Sequence, residues 1–361
     1  PLKTRDECMQ NVREALQLAH QTNLQSELAF VEFVAAQVLL SFGEFGNAFD
    51  HAQKSLRIAT AIEHQQWLTA SYGALGQLYL LLLAPSQAIS ALRLGMMYAE
   101  TLGSAFWHSY LASFLAQTYV LQRDFSSAEK LLKSIMPREQ EPANAGERHI
   151  AYIWGELALA DGEPDVALTI AEHLMLSAPN NAESQPIPHL LALKGNALLK
   201  LHRLEEATFA LEEAKRGAEQ RQAPSIRWRI HCSLGHVSSL RHKHEHAQHE
   251  YATARGIIMK LAKTIEQADI RDHFEQAALL TLASEKSSQP RKAATEKYDG
   301  LTPREIEVLR YVAYGLTDAQ VAEKLVISHR TVHSHLNSIY SKLGITSRSA
   351  ATRYAIEHHL A

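Results

Sequence analysis

Cysteine is almost missing from this chain: Cys8 and Cys232 are the only two in 361 residues. Two cysteines so far apart give neither a disulfide framework nor a paired zinc spacing, and they suit a reducing cytoplasm. Long apolar runs are missing too. The longest, residues 78–84, has seven, against the ~20 that cross a bilayer, so no membrane role is expected. No glycine is followed by lysine, which excludes the phosphate-cradling G-x-x-x-x-G-K-[ST] loop from these residues. No catalytic constellation stands out. Pairs such as Glu205/Glu206 and Glu212/Glu213 have the spacing of exposed helix faces, not of converging carboxylates, and the chain reads as a non-enzyme. An apolar leader core is absent, and Pro1 is not an initiator, so a piece of a longer chain is expected.

Strong net charge is also lacking, at −3 overall. The balance is uneven, however. Residues 1–284 carry 25 Lys and Arg against 31 Asp and Glu, while residues 301–361 carry seven against five, with five histidines. Only the tail could favour a polyanion at long range. Residues 285–300, EKSSQPRKAATEKYDG, are polar, without apolar period, and read as a linker.

What the first part does contain is a repeat. Ala48, Ala88, Ala128, Ala167, Ala207 and Ala247 follow one another at steps of 40, 40, 39, 40 and 40 residues. Twelve residues before each stands another small residue: Ala36, Gly76, Ala116, Gly155, Gly195 and Gly235. Small side chains at a fixed offset let two helices approach closely, so each repeat reads as a helical hairpin. Three residues before each alanine lie Phe45, Pro85, Phe125, Pro164, Leu204 and His244, read as the turn. A hairpin cannot bury its apolar face alone, and stacked neighbours close the core. Residues 6–20 read as a lone second helix and residues 264–284 as a terminal cap. The pattern resembles the tetratricopeptide repeat, with a period of 40 in place of about 34, no tryptophan in the first helix and no terminal proline. It is called TPR-like here. Such an array implies a surface for a peptide, a protein or a small ligand. The run 241–250, RHKHEHAQHE, straddles a repeat turn and reads as solvated surface, not as a metal site.

The tail opens on Thr302-Pro303-Arg304-Glu305, a capping box with proline in the first turn. Ile306, Leu309, Val312 and Ala313 form an apolar stripe, and Gly315 ends the helix. Thr317–Gln320 starts a second helix, with Val321, Ala322 and Leu325 inward. Ser328 caps a third, through Val332, Leu336, Ile339 and Leu343 to Gly344. Ser347 caps a fourth to about residue 358. A short helix, a tight turn and a longer helix with a polar outer face suit the major groove.

These residues include L-T-x-R-E-x-E-V-L, A-x-x-L-x-I-S-x-x-T-V-x-x-H and I-x-x-K-L-G, and they resemble the LuxR-type (NarL/FixJ/GerE) helix-turn-helix. The fold class is therefore all-α: a TPR-like helical-hairpin solenoid over 1–284, a linker, and a four-helix LuxR-type domain over 301–361. The resemblance implies double-stranded DNA as partner. It places His333, Ser334 and Asn337 on the bases, where asparagine pairs with adenine and histidine donates to guanine. Arg330, Thr331 and Lys342 fall to phosphates, with the helix starts at Thr302 and Ser328. His335 is expected to be structural. Relatives often carry Lys or Arg at 333 and 337, so binding here is expected to depend on dimerisation or on added protonation at low pH. The resemblance also implies a homodimer through Ala351, Tyr354, Ala355 and His358, hence inverted-repeat sites.

A TPR-like array ahead of such a tail resembles the MalT-like, or LAL, regulators, which carry a P-loop ATPase upstream. The reading is a cytoplasmic bacterial transcription regulator controlled by a small-molecule or protein effector on the solenoid, with RNA polymerase a further partner. No cofactor is expected in these residues, and ATP would belong to an upstream domain. The alternatives are the regulatory half of an ATP-driven switch, or a protein-binding adaptor with a vestigial tail.

Overall fold

The computed structural model describes residues 4–22, 24–177, 187–287, 301, 303–325, 329–345, 347–358 and 360. Among the described residues every regular element is a helix. Two compact units divide the chain, Pro1–Lys286 and Ser287–Ala361.

The first unit starts with α1 (Arg5–Thr22), the expected lone helix. Six hairpins follow: α2 (Gln25–Ser41) with α3 (Phe45–Ala61), α4 (Gln65–Leu81) with α5 (Pro85–Leu102), and α6 (Ala105–Leu121) with α7 (Phe125–Ile135). Next come α8 (Ala145–Asp161) with α9 (Pro164–Leu176), α10 (Pro188–Lys200) with α11 (Leu204–Gln220), and α12 (Pro224–Leu240) with α13 (His244–Ala262). The last helix, α14, spans Ala268–Ser287. It therefore continues three residues into the segment read as linker; the rest of that segment, 288–300, lies outside the described residues.

The small residues do what their spacing predicts. Each of the six repeat alanines, from Ala48 to Ala247, is buried. A methyl on Gly76 would stand 2.5 Å from Leu92, on Gly195 2.6 Å from Leu211, and on Gly235 2.6 Å from Tyr251. In each case the large partner sits four residues after the repeat alanine, on the same face of the second helix. Glycine is thus the hole, and leucine or tyrosine the knob, at the closest approach of two helices.

The turns lie elsewhere than the sequence suggests. Phe45, Pro85, Phe125, Pro164, Leu204 and His244 are the first residues of the second helices, a place where proline is at home. The chain reverses two residues earlier, at Gly43, Leu83, Arg123, Gly162, His202 and His242, all with positive φ. The next N–H then returns to a carbonyl five residues back, as Ala84 to Tyr79, Arg203 to Leu198 and Lys243 to Ser238. This is the Schellman closure of a helix end. Only two of the six left-handed residues are glycine, which hides the motif.

Each first helix packs on the first helix of the next hairpin, whereas the second helices of neighbouring hairpins are held apart. The array therefore curves, with first helices on its inner side. The curvature brings its ends together. Phe45 and Phe274 stack edge to face at 5.7 Å. The Phe45 N–H donates to Thr264 Oγ1 at 3.2 Å, and His273 Nε2 lies 3.0 Å from the Leu83 carbonyl. One buried cluster joins Leu39, Phe45 and Leu78 to Trp228, Ile258 and Phe274. So α14 caps the array by closing it onto its first two hairpins.

Two glutamate–histidine pairs, one part-buried and one buried, sit at equivalent positions of the first and last hairpins, with their members exchanged. Glu32 in α2 meets His51 in α3, and His231 in α12 meets Glu250 in α13 at 2.5 Å. Burial opposes ionisation of Glu250, but the His231 hydrogen bond and the charges of His231, Lys215 and His246 hold its carboxyl below the usual range. The middle hairpins carry apolar or aromatic residues, such as Leu131 and Ile170, at these positions.

The seam yields a prediction with opposite signs at two glycines. A methyl on Gly46 would lie 2.0 Å from the Thr264 carbonyl oxygen, whereas one on Gly256, inside α13, meets nothing within 4 Å. Gly46→Ala should destabilise the solenoid by roughly 2 kcal/mol. Gly256→Ala should stabilise it by about 0.5–1 kcal/mol through helix propensity. Urea denaturation of both variants measures the two shifts, and equal effects would contradict a closed seam.

Candidate nucleic-acid interface

The second unit holds α15 (Pro303–Ala313), α16 (Asp318–Leu325), α17 (His329–Leu343) and α18 (Arg348–Glu357). The elements match the four helices expected from the caps. Gly315 and Gly344 take positive φ after α15 and α17, where a side chain would be strained. Ahead of α16, Gln320 Oε1 accepts the Thr317 N–H at 2.8 Å, and Thr317 Oγ1 accepts the Gln320 N–H at 3.4 Å. Ser347 Oγ likewise accepts from Ala350 N–H at 3.2 Å. Thr302 and Ser328, the two other expected caps, lie outside the described residues.

A core of its own holds this unit: Leu301, Val308, Leu309, Val312, Val321, Val332, Leu336 and Ile339, all buried. Val332, Leu336 and Ile339 are the inward stripe of α17, as their spacing requires. Arg348 ties α18 to the start of α16 through Asp318 and the Leu316 carbonyl.

The outer face of α17 presents His333 and Asn337, both exposed and one turn apart. His335 is half-buried. Ser334, Arg330 and Thr331 lie in α17, and their side chains fall outside the described residues. Of the four residues assigned to dimerisation, Ala351 and Ala355 are fully buried in the core. They hold α18 down and do not face outward. Tyr354, half-buried against the same core, stacks on the exposed His358 at 4.1 Å, which leaves these two as its candidates for a partner.

Lys342 is engaged otherwise than the sequence suggests. Its ammonium donates to both oxygens of Glu305, at 2.7 and 3.0 Å, and Ser338 Oγ donates to the same carboxylate at 2.6 Å. Glu305 is 4 % exposed. A buried carboxylate is costly unless its lone pairs are met, so Glu305 fixes the back half of α17 against α15. Lys342 is thereby part of the scaffold that aims His333 and Asn337. Sequence reasoning gave Lys342 a phosphate, because a contact 37 residues apart has no local signal, and the capping partner expected for Glu305, Thr302, lies outside the described residues.

Comparison with known proteins agrees with this geometry. Residues 299–355 match the bacterial regulatory proteins of the luxR family, and the tail is a LuxR-type helix-turn-helix domain. The transcriptional regulatory protein LiaR of Bacillus subtilis is 32% identical over 113 residues, 29% of this chain and 54% of that protein. A Mycobacterium bovis protein described as an HTH-type transcriptional regulator is 26% identical over 212 residues, 58% of this chain and 22% of that one. The chain thus spans about half the length of the first relative and about a fifth of the second. Among solved structures, apo RapI is similar over 97% of this chain and 93% of its own, at 13% identity and a TM-score of 0.40.

The Glu305 lock is testable. Lys342→Met leaves a buried carboxylate with one fewer donor and should destabilise the domain by roughly 1–3 kcal/mol. Amide exchange in α15 and α17 should then accelerate about tenfold or more. Adding Glu305→Gln should recover part of the loss. Additive effects of the two changes would show that they do not interact.

Proposed function

We propose that this chain is the sensing and DNA-reading part of a bacterial transcription regulator. The observation that carries the reading is the exposed pair His333 and Asn337 on the outer face of α17, in a domain that matches the luxR family. A helix laid in the major groove brings such side chains to base edges, asparagine to adenine N6 and N7, histidine to guanine. Ser334 belongs to the same face. Phosphate contacts fall to Arg330 and Thr331, with the helix starts at Thr302 and Ser328. The face is not strongly basic, so two copies on an inverted repeat supply what one copy lacks, and Tyr354 and His358 are the side chains α18 offers to that dimer.

The solenoid gives this output an input. A closed array of hairpins ahead of the DNA-reading domain supports control by an effector, small molecule or protein, that changes self-association. In the MalT-like arrangement an ATPase would stand upstream, and these residues would be its regulatory half. Among the described residues no helix is long and apolar enough to cross a membrane, which agrees with a place in the cytoplasm beside DNA and RNA polymerase.

Selection of duplexes from a random library by the full chain tests this reading. An enriched inverted repeat is expected. Asn337→Ala and His333→Ala should each cost about 1–3 kcal/mol and relax preference at one position per half-site. Arg330→Gln should weaken all sequences alike and lower the salt slope by about one. No enrichment at low salt would favour an adaptor with an idle tail.

A further inference from the structure

The inner wall of the solenoid is unusually rich in rings. Phe33 meets Trp107 at 6.1 Å, Trp107 meets Tyr110 at 5.6 Å, and Tyr110 meets Phe114 at 5.1 Å. The series runs on through Phe114–His149 at 4.8 Å, His149–Tyr152 at 6.2 Å and Tyr152–His189 at 6.0 Å. Every member lies on a first helix: α2, α6, α8 or α10. Between α4, α6, α8 and α10 the wall opens into a cavity of about 420 Å³. That is the size range of small-molecule sites. Phe114, His149, Tyr152 and His189 line it with rings, and Leu80 and Leu190 add apolar surface.

The polar groups around this cavity are not equivalent. The negative one is already satisfied. Glu156 accepts from Tyr152 Oη at 2.5 Å and from Gln117 Nε2 at 2.7 Å. The amides are engaged too, since Gln77 Nε2 donates to Tyr110 Oη at 2.6 Å. The wall therefore offers little to a peptide backbone, which needs donors and acceptors along its whole length. The cations differ. Arg148 lines the cavity, and its hydrogen bonds go to neutral acceptors, the Leu174 carbonyl and both oxygens of Ser177. Arg229, over the Trp228 ring at 4.9 Å, stands outside the cavity lining. Hydrogen bonds to carbonyls leave a guanidinium's charge uncompensated.

Burial acts on the two histidines of the wall as well. Enclosure, with the neighbouring His189, lowers the His149 imidazole to about 4. Enclosure, together with the cations Arg221 and Arg229, lowers His189 to about 4. His189 is exposed where it lines the cavity, yet the protein around its ring still disfavours the cation. Both rings are neutral at physiological pH. They extend the aromatic wall and keep one polar edge each, and His149 Nε2 is buried without a hydrogen-bond partner.

We propose that this cavity binds a small, flat aromatic anion, held between the rings of Phe114, His149, Tyr152 and His189 and oriented by Arg148. The inference rests on the reading of the solenoid as a sensor, and it names the chemistry sensed. A flat ring fits faces that are already spaced for stacking, and a carboxylate or sulfonate group meets the Arg148 guanidinium, whose hydrogen-bond partners are all neutral. A ligand at this place touches four successive hairpins, so its binding is linked to how tightly they stack.

Titration of the full chain with 2-naphthoate tests the proposal, with 2-naphthylmethanol and 2-naphthylmethylammonium as neutral and cationic counterparts. Calorimetry should show one saturable naphthoate site per chain. The anion should bind at least about tenfold tighter than the amine, the worth of one charge-assisted contact. Arg148→Gln, at the guanidinium that lines the cavity, should weaken the anion about tenfold and leave the alcohol unchanged. Phe114→Leu should weaken all three. Should Phe114→Leu unfold the array, transfer of saturation from the wall rings to the naphthalene protons in the unaltered chain gives the same information. No saturable binding, a preference for the amine, or indifference to Arg148→Gln would overturn the proposal. DNA selection reads the tail alone, so that reading and this one fail separately.

Discussion

The whole solenoid depends on one close approach. In each hairpin a small residue of the first helix faces the start of the second. Where the small residue is Gly76, Gly195 or Gly235, a leucine or tyrosine fills the space a methyl would need. Interiors pack at crystal density, so a gap of one methyl on either side would weaken the contact. Because the contact recurs every 40 residues or so, one local solution is used six times. Stacking then buries what a lone hairpin must leave open.

Repetition has a consequence that no single hairpin contains. First helices touch along the array and second helices diverge, so every added hairpin turns the chain a little further the same way. After six the ends meet. Phe45, buried in α3, finds Phe274 on α14, and each such ring contributes about 1.5–3 kcal/mol by leaving water. Closure also changes the inner wall. Rings of α6, α8 and α10 meet there around one cavity, and burial lowers the pKa of His149 and His189.

The tail works on a different principle. It has no repeat, and its helices are short, so a few polar contacts orient them. Glu305 is the clearest: a buried carboxylate that Ser338 and Lys342 satisfy from α17. Arg348 does the same for α16 and α18. These ties hold the outer face of α17, with His333 and Asn337, on a rigid support. They also explain why a lysine that looks basic and available in the sequence is engaged in the structure.

Much of this was legible in order along the chain. Small residues at an offset of twelve, caps such as Thr317/Gln320, and the stripe Val332, Leu336, Ile339 are local patterns, and local patterns specify helices and their inward faces. The four tail helices and the six hairpins follow from them. The turns were misplaced by two residues, because four of the six left-handed positions are Leu83, Arg123, His202 and His242, which carry no turn signal. What the sequence could not hold was any contact whose partners are set by accumulated geometry. The closing of α14 on α3, the burial of Ala351 and Ala355, the Glu305–Lys342 tie and the ring-lined cavity all join residues from separate helices. Periodicity determines which face of a helix turns inward; only the packed array decides what that face meets.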